Sequence, residues 1–218
     1  MTTPLPRLTV PPDVAAARAL ADRALAGRWR PGVTRDGVEV TWAHLHGERV
    51  RTYRVTTHHP VPRPAMARWL SEGLFRAFAR LNRHWHSGGV ITPSPLVVRT
   101  AFALPRPMAP REFVHGLSCT ELDGETTVVA YTPAEHPELP TLGPAWVRCP
   151  MMLSGQRITD TEEGCRVEHV MGYALAGRVR PWVQNRLLHR SHLDAYLHEW
   201  APLVARSRRP GGLAKDAP

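Results

Sequence analysis

The side chains in this chain that could do chemistry are few and scattered. They are His115, His169, Thr100 and Tyr173 on predicted strands, and Arg186 and Arg190 four residues apart near the C-terminus. A histidine beside a tyrosine can move a proton, and two guanidinium groups one helical turn apart can grip a carboxylate or a phosphate. No nucleophile stands beside a tuned base in the sequence, and no G-x-S-x-G, phosphate-loop or dinucleotide motif occurs. His44-x-His46 and His84-x-His86 have a spacing that metals use. The first pair lacks a carboxylate or cysteine partner and the second ends a predicted exposed helix, so both are expected to be surface histidines. Cys119, Cys149 and Cys165 are odd in number and widely spaced, and are expected to be reduced, buried small hydrophobes. The expectation is a chain with no catalytic residue, no metal and no cofactor.

These residues must be positioned by the elements around them. Asp13 is placed to cap a short helix over Ala15 to Leu25. Gly37 to His59 reads as a hairpin, VEVTWAHL and VRTYRVTT around HGER. Apolar residues at helical spacing, Met66, Trp69, Leu70, Leu74, Phe75, Phe78 and Leu81, predict a second helix from Ala65 to about Trp85. Four or five strands follow between Leu96 and Leu175, and Val179 to Val204 reads as one long amphipathic helix. This order belongs to the α+β class, with a curved antiparallel sheet gripping a long C-terminal helix around an internal cavity. Residues 1–11 are expected to be an extension, 12–205 the domain, and 206–218 a disordered basic tail.

Alternation along each strand separates its two faces. Arg166 and Glu168 mark an outer face, which turns Val167, His169, Met171 and Tyr173 inward. Arg99 pointing outward turns Val98, Thr100 and Phe102 inward, and Glu112 does the same for Phe113, His115, Leu117 and Cys119. On the final helix Val179, Trp182, Val183, Leu193, Tyr196, Leu197 and Trp200 form an apolar stripe. At 100° per residue Arg186 and Arg190 fall near its middle, with Val183 and Leu187 beside them. Two readings stay open for the arginines. They meet an acidic headgroup inside the cavity, or their stems reach its mouth and Arg190 pairs with Asp194.

The 218 residues suffice for one domain with a sizeable core, and the net charge is +9. Among the 28 basic residues Lys215 is the one lysine, and the arginines are scattered rather than clustered, so no nucleic-acid partner is expected. Transient contact with an anionic membrane surface remains compatible. No apolar run long enough to span a bilayer and no signal-like N-terminus is present, so a cytoplasmic, monomeric protein is expected.

Several stretches then fall in one order with family-like spacing. They are GVEVTWAHLHGERVRTYRV from Gly37, PREFV at Pro110 to Val114, GETTVVAY, WVRC at Trp146 with its pair Val147 and Arg148, and Gly177 eight residues ahead of Asn185. Together, over about residues 28 to 205, they resemble the START family, the steroidogenic acute regulatory protein-related lipid-transfer domains. The resemblance implies a helix-grip fold that binds one lipid or other hydrophobic molecule in an internal tunnel, without catalytic residues. Loading would need the C-terminal helix or the Pro133 to Pro144 loop to move. Family members that bind sterols are similar but carry a buried acid and arginine where this chain has Val98 and Leu117. Ala174 stands where the family has Asp, and Pro181 lies one position late. The same superfold includes polyketide aromatase/cyclases, in which His115, His169, Tyr173 and Arg190 would be the acid–base candidates. A ligand-sensing module is a third reading.

Overall fold

The computed structural model describes residues 12–45, 48–73, 97–102, 108–135, 137, 139–150, 152–176, 179–187, 189–209 and 212. Helix α1, Val14–Leu25, begins where the Asp13 side chain accepts the Ala16 N–H at 2.9 Å, a cap that contributes about 1 kcal/mol. Strands β1 (Arg30–Arg35), β2 (Val38–Ala43) and β3 (Thr52–His59) follow. Helix α2, Arg63–Arg68, runs on into a π-helical turn over Trp69–Gly73. Then come β4 (Val97–Phe102), β5 (Arg111–Asp123), β6 (Thr126–Pro133), β7 (Val147–Arg148), β8 (Ser154–Thr161) and β9 (Gly164–Met171). Helices α3, Pro181–Leu187, and α4, His189–Ser207, close the described chain.

The strands form one curved, unclosed sheet in the order β1-β2-β3-β9-β8-β6-β5-β4, with β7 running parallel to the start of β5. The decisive join is β3 with β9, where Val55 pairs with His169 across more than a hundred residues of sequence. It sews the first hairpin to the last one. Strand β1 lay outside the expected hairpin, although Asp36-Gly37 is a turn signal that could have revealed it. Both residues take positive φ, 54° and 76°, the geometry of a tight two-residue hairpin turn.

The concave face holds the main core. Val38, Val40, Val55, Leu117, Val129, Ile158 and Val167 pack against Met66 and Leu70 from the α2 segment and against Leu197, Trp200, Leu203 and Val204 from α4. The convex face is covered as well. Ala16, Ala17, Leu20 and Ala24 of α1 lie on Val128, Ala130 and Val170, and their small side chains let the helix sit close. Gly155 on β8 makes room for it. A Cβ there would stand 2.1 Å from the Val129 carbonyl oxygen and 2.7 Å from Leu20.

One expectation needs correction. The charged residues Glu112 and Glu168 do lie on the face opposite the core, yet they are 0% and 2% exposed: the loop after β6 closes over Glu112, and Arg54, Arg157 and Arg166 surround Glu168. The final helix is described over Pro181–Leu187 and His189–Ser207. Helix α4 ends at Ser207, whose hydroxyl is 2.7 Å from the His59 imidazole. The second helix is confirmed as far as Gly73, with Met66, Trp69 and Leu70 buried, and Leu74, Phe75, Phe78 and Leu81 lie outside the described residues.

Cys149 and Cys165 are buried free thiols, and Cys119 is free and half-buried. No helix among the described residues is long and apolar enough to cross a membrane.

Candidate functional site

The concave face carries a line of uncharged polar side chains across three neighbouring strands. Tyr131 on β6 donates its hydroxyl to the Gln156 side-chain oxygen at 2.8 Å. Gln156 on β8 then presents its amide nitrogen to His169 Nδ1 at 2.7 Å. Because the amide NH2 can only donate, His169 Nδ1 accepts, and the imidazole proton sits on Nε2. His115 lies against the Tyr131 ring at 5.3 Å, and Trp200 of α4 lies against His169 at 5.2 Å. Burial holds the His115 imidazole down to about 4 and His169 to about 3, so both are neutral near pH 7. The Tyr131 hydroxyl is pushed well up for the same reason. The interior therefore opposes charge.

Three further donors, Thr100 Oγ1 on β4 and Tyr196 Oη and Trp200 Nε1 on α4, are buried without a hydrogen-bond partner among the described residues. Each such orphan costs about 1–3 kcal/mol in an apolar interior. Native proteins keep few of them, and each is a donor that a bound polar atom would relieve.

Near the first turn of α4 a second chain of bonds ties helix to sheet. Tyr53 Oη is 3.0 Å from His189 Nδ1 and 3.4 Å from His192 Nδ1, and His192 Nε2 is 3.0 Å from the Tyr173 hydroxyl. Phe113 meets Tyr173 edge-on at 5.3 Å. Burial, with His189 nearby, lowers His192 to about 4, and burial raises Tyr53 to about 12. Burial first, then the negative charge of buried Glu199, also raises Tyr173. Helix α3 is fastened separately by Gln184, which accepts the Leu175 N–H at 3.0 Å and donates to the Tyr173 carbonyl at 2.7 Å.

Of the expected site residues, Val98, Leu117 and Val167 are in the main core, and Thr100, Phe113, His115 and His169 are buried on the concave side. Met171, Tyr173 and Val183 are half-buried. The Phe102 and Leu187 side chains lie outside the described residues. Arg186 and Arg190 are exposed rather than in the middle of a buried stripe, and Trp182 is 60% exposed. At 100° per residue Arg190 stands about 100° from the centre of the buried face that runs from Tyr196 to Ser207. Sequence reasoning missed Tyr53, Tyr131, Gln156, His189 and His192. Alternation places Tyr131 and Gln156 inward, but a glutamine within GQRITDT reads as an ordinary polar strand residue until its neighbours are known.

The family-like motifs turn out to be structural fastenings. In PREFV, Glu112 receives Arg148 at 2.9 Å and lies 3.8 Å from Arg99. It also accepts the Leu142 N–H at 3.2 Å, while Arg99 and Arg148 donate to the Pro140 and Leu139 carbonyls. The Pro133 to Pro144 loop is thereby pinned to the convex face. Asn185 bridges α3 to the β2–β3 connection, donating to the Arg49 carbonyl at 2.7 Å and accepting the Arg51 N–H at 2.9 Å. No metal-binding cluster occurs among the described residues.

A curved antiparallel sheet gripping a C-terminal helix, with a neutral polar line inside, defines the helix-grip class. The family model of the START domain matches residues 63–209, and the chain belongs to that family. Human STARD10 is similar in fold, with 18% identity and a TM-score of 0.69 over 88% of this chain and 80% of that one. Human StAR-related lipid transfer protein 5 gives 19% identity and 0.69 over 89% and 95%. A STAR-related lipid transfer protein fragment from Xanthomonas axonopodis gives 16% and 0.61 over 83% and 99%. No curated protein sequence matches the chain.

Proposed function

We propose that this START domain is a carrier that holds one hydrophobic molecule bearing an uncharged hydrogen-bond acceptor, lodged between the concave face of the sheet and α4. The observation that carries this is that three donors, Thr100 Oγ1 on β4 and Tyr196 Oη and Trp200 Nε1 on α4, are buried without a hydrogen-bond partner among the described residues. Tyr131, Gln156 and His169 add a neutral, hydrogen-bonded line. A carbonyl, ester or hydroxyl oxygen would satisfy those donors. An acidic headgroup would not suit them, because Arg186 and Arg190 are exposed and buried Glu199 is the nearer charge. The pinned loop after β6 leaves α4 as the element that moves for loading, at the end held by His189 and His192. The carrier works as a cytoplasmic monomer without a cofactor.

Native mass spectrometry of the purified protein, followed by extraction and identification of the bound molecule, tests this. One neutral lipid-like molecule per chain is expected. Thr100→Val with Tyr196→Phe removes two hydroxyls worth about 1–3 kcal/mol together, so the dissociation constant should rise roughly 5- to 150-fold. An empty protein that cyclises a polyketide-like chain would overturn the carrier reading in favour of an aromatase/cyclase.

A further inference from the structure

In the buried line Tyr131–Gln156–His169 each hydrogen bond sets the direction of the next. Gln156 stands directly opposite His169 in the β8–β9 register, and all three side chains are shut off from water. The Tyr131 hydroxyl donates to Gln156 Oε1 at 2.8 Å, which holds the amide with its NH2 toward His169 Nδ1 at 2.7 Å. Since that NH2 only donates, Nδ1 accepts and the ring proton stays on Nε2. Burial keeps the imidazole neutral near pH 7, so it carries no second proton. A glutamine turned the other way would offer its oxygen to Nδ1, draw the proton there and leave Nε2 as an acceptor. Tyr131 therefore selects, through Gln156, whether His169 gives or takes a hydrogen bond at its other nitrogen.

The neighbouring ring adds to this polarity. Trp200, with its ring centre 5.2 Å from that of His169, has a buried indole N–H without a partner among the described residues. An indole N–H cannot accept, and neither can the protonated Nε2 of His169. A carbonyl oxygen offers two lone pairs and brings no proton of its own. An alcohol brings a proton for which these two nitrogens provide no acceptor. We infer that Tyr131 and Gln156 are positioning residues that determine specificity by setting His169 as a donor, so that the cargo is a ketone or ester rather than an alcohol. This rests on the carrier reading and names the ligand class of that same site.

Two measurements test it. Nitrogen NMR of protein with isotopically labelled histidine reads the His169 tautomer without any ligand, the signal being identified by its loss in His169→Gln. The parent chain should show one neutral form, protonated on Nε2. Tyr131→Phe removes the donor that holds the amide and should add a second population protonated on Nδ1, whereas Thr100→Val should leave the tautomer as it is. The second measurement is binding of a long-chain methyl ketone and of the secondary alcohol made by reducing it. An unmet hydroxyl proton should cost the alcohol roughly 5- to 150-fold in affinity for the parent chain. Tyr131→Phe should bring that ratio toward one, and Thr100→Val should weaken both probes and keep the ratio. A parent His169 protonated on Nδ1, a tautomer unmoved by Tyr131→Phe, or equal affinity of the parent for the two probes would overturn the inference. Weakening of both probes by Tyr131→Phe at a constant ratio would overturn it too, by making Tyr131 a merely structural residue. Binding of neither probe overturns the ligand class, and native mass spectrometry then separates the two readings: another neutral lipid in the protein leaves the carrier standing, whereas an empty protein removes both.

Discussion

Replacing Glu112 by leucine should cost far more than replacing it together with both of its arginines. The carboxylate is 0% exposed, receives Arg148 at 2.9 and 3.0 Å, accepts the Leu142 N–H at 3.2 Å, and faces Arg99 at 3.8 Å. In Glu112→Leu two cations lose their counter-charge, and the Leu142 N–H loses its acceptor. Stripping one side from a buried ion pair costs about 3–5 kcal/mol. The Arg148 side chain keeps 31% of its surface in water, which favours the lower figure. With about 2–4 °C lost per kcal/mol in a domain of this size, the melting temperature should drop by about 6–12 °C. The triple variant Glu112→Leu, Arg99→Leu, Arg148→Leu removes the charges together and should recover most of that loss. Urea unfolding gives the free energies, and hydrogen exchange at Leu142 reports whether the loop has come loose. A single variant that loses less than about 1 kcal/mol, or a triple variant less stable than the single one, would refute the reasoning.

Acidification should unfold the protein through its buried histidines. Burial lowers His59, His115 and His192 to about 4 and His169 to about 3, whereas the unfolded chain titrates near 6.5. The unfolded state therefore binds protons first as pH falls. Stability is complete above about pH 6.5 and declines toward pH 4, by about 1.4 kcal/mol per pH unit for each histidine. Proton uptake of about four per molecule on unfolding near pH 5 is expected from potentiometry or calorimetry; a melting temperature unchanged between neutral pH and about pH 4.5 would contradict it. Asn185→Ala should release α3 from the β2–β3 connection at a cost of about 1–2 kcal/mol, visible as faster exchange of the Arg51 amide. Unchanged exchange there would mean that other contacts hold the lid.

The fold class was legible because its signals are local. Asp13 before an alanine-rich run, branched residues alternating in VEVTWA, and the spacing of Met66, Trp69 and Leu70 each set the state of their own segment. Strand parity was legible for the same reason, so His115, His169 and Thr100 could be placed inward from the charges beside them. Parity could not show that the face carrying Glu112 and Glu168 is itself roofed, since the cover comes from a distant loop and from arginines of neighbouring strands.

Sequence alone thus determined which residues form strands and helices, which side of each strand is apolar, and that the interior carries histidine, threonine and tyrosine. Tertiary structure decided the rest. The Tyr131–Gln156–His169 line exists because β6, β8 and β9 lie side by side, a register set by hydrogen bonds between strands rather than by any one segment. The place of Arg186 and Arg190 was decided by which turns of the final helix are covered: both arginines are exposed, whereas the buried positions of α4 begin at Tyr196. Helical periodicity ranks the faces of a helix and carries no information about which of its turns another element covers.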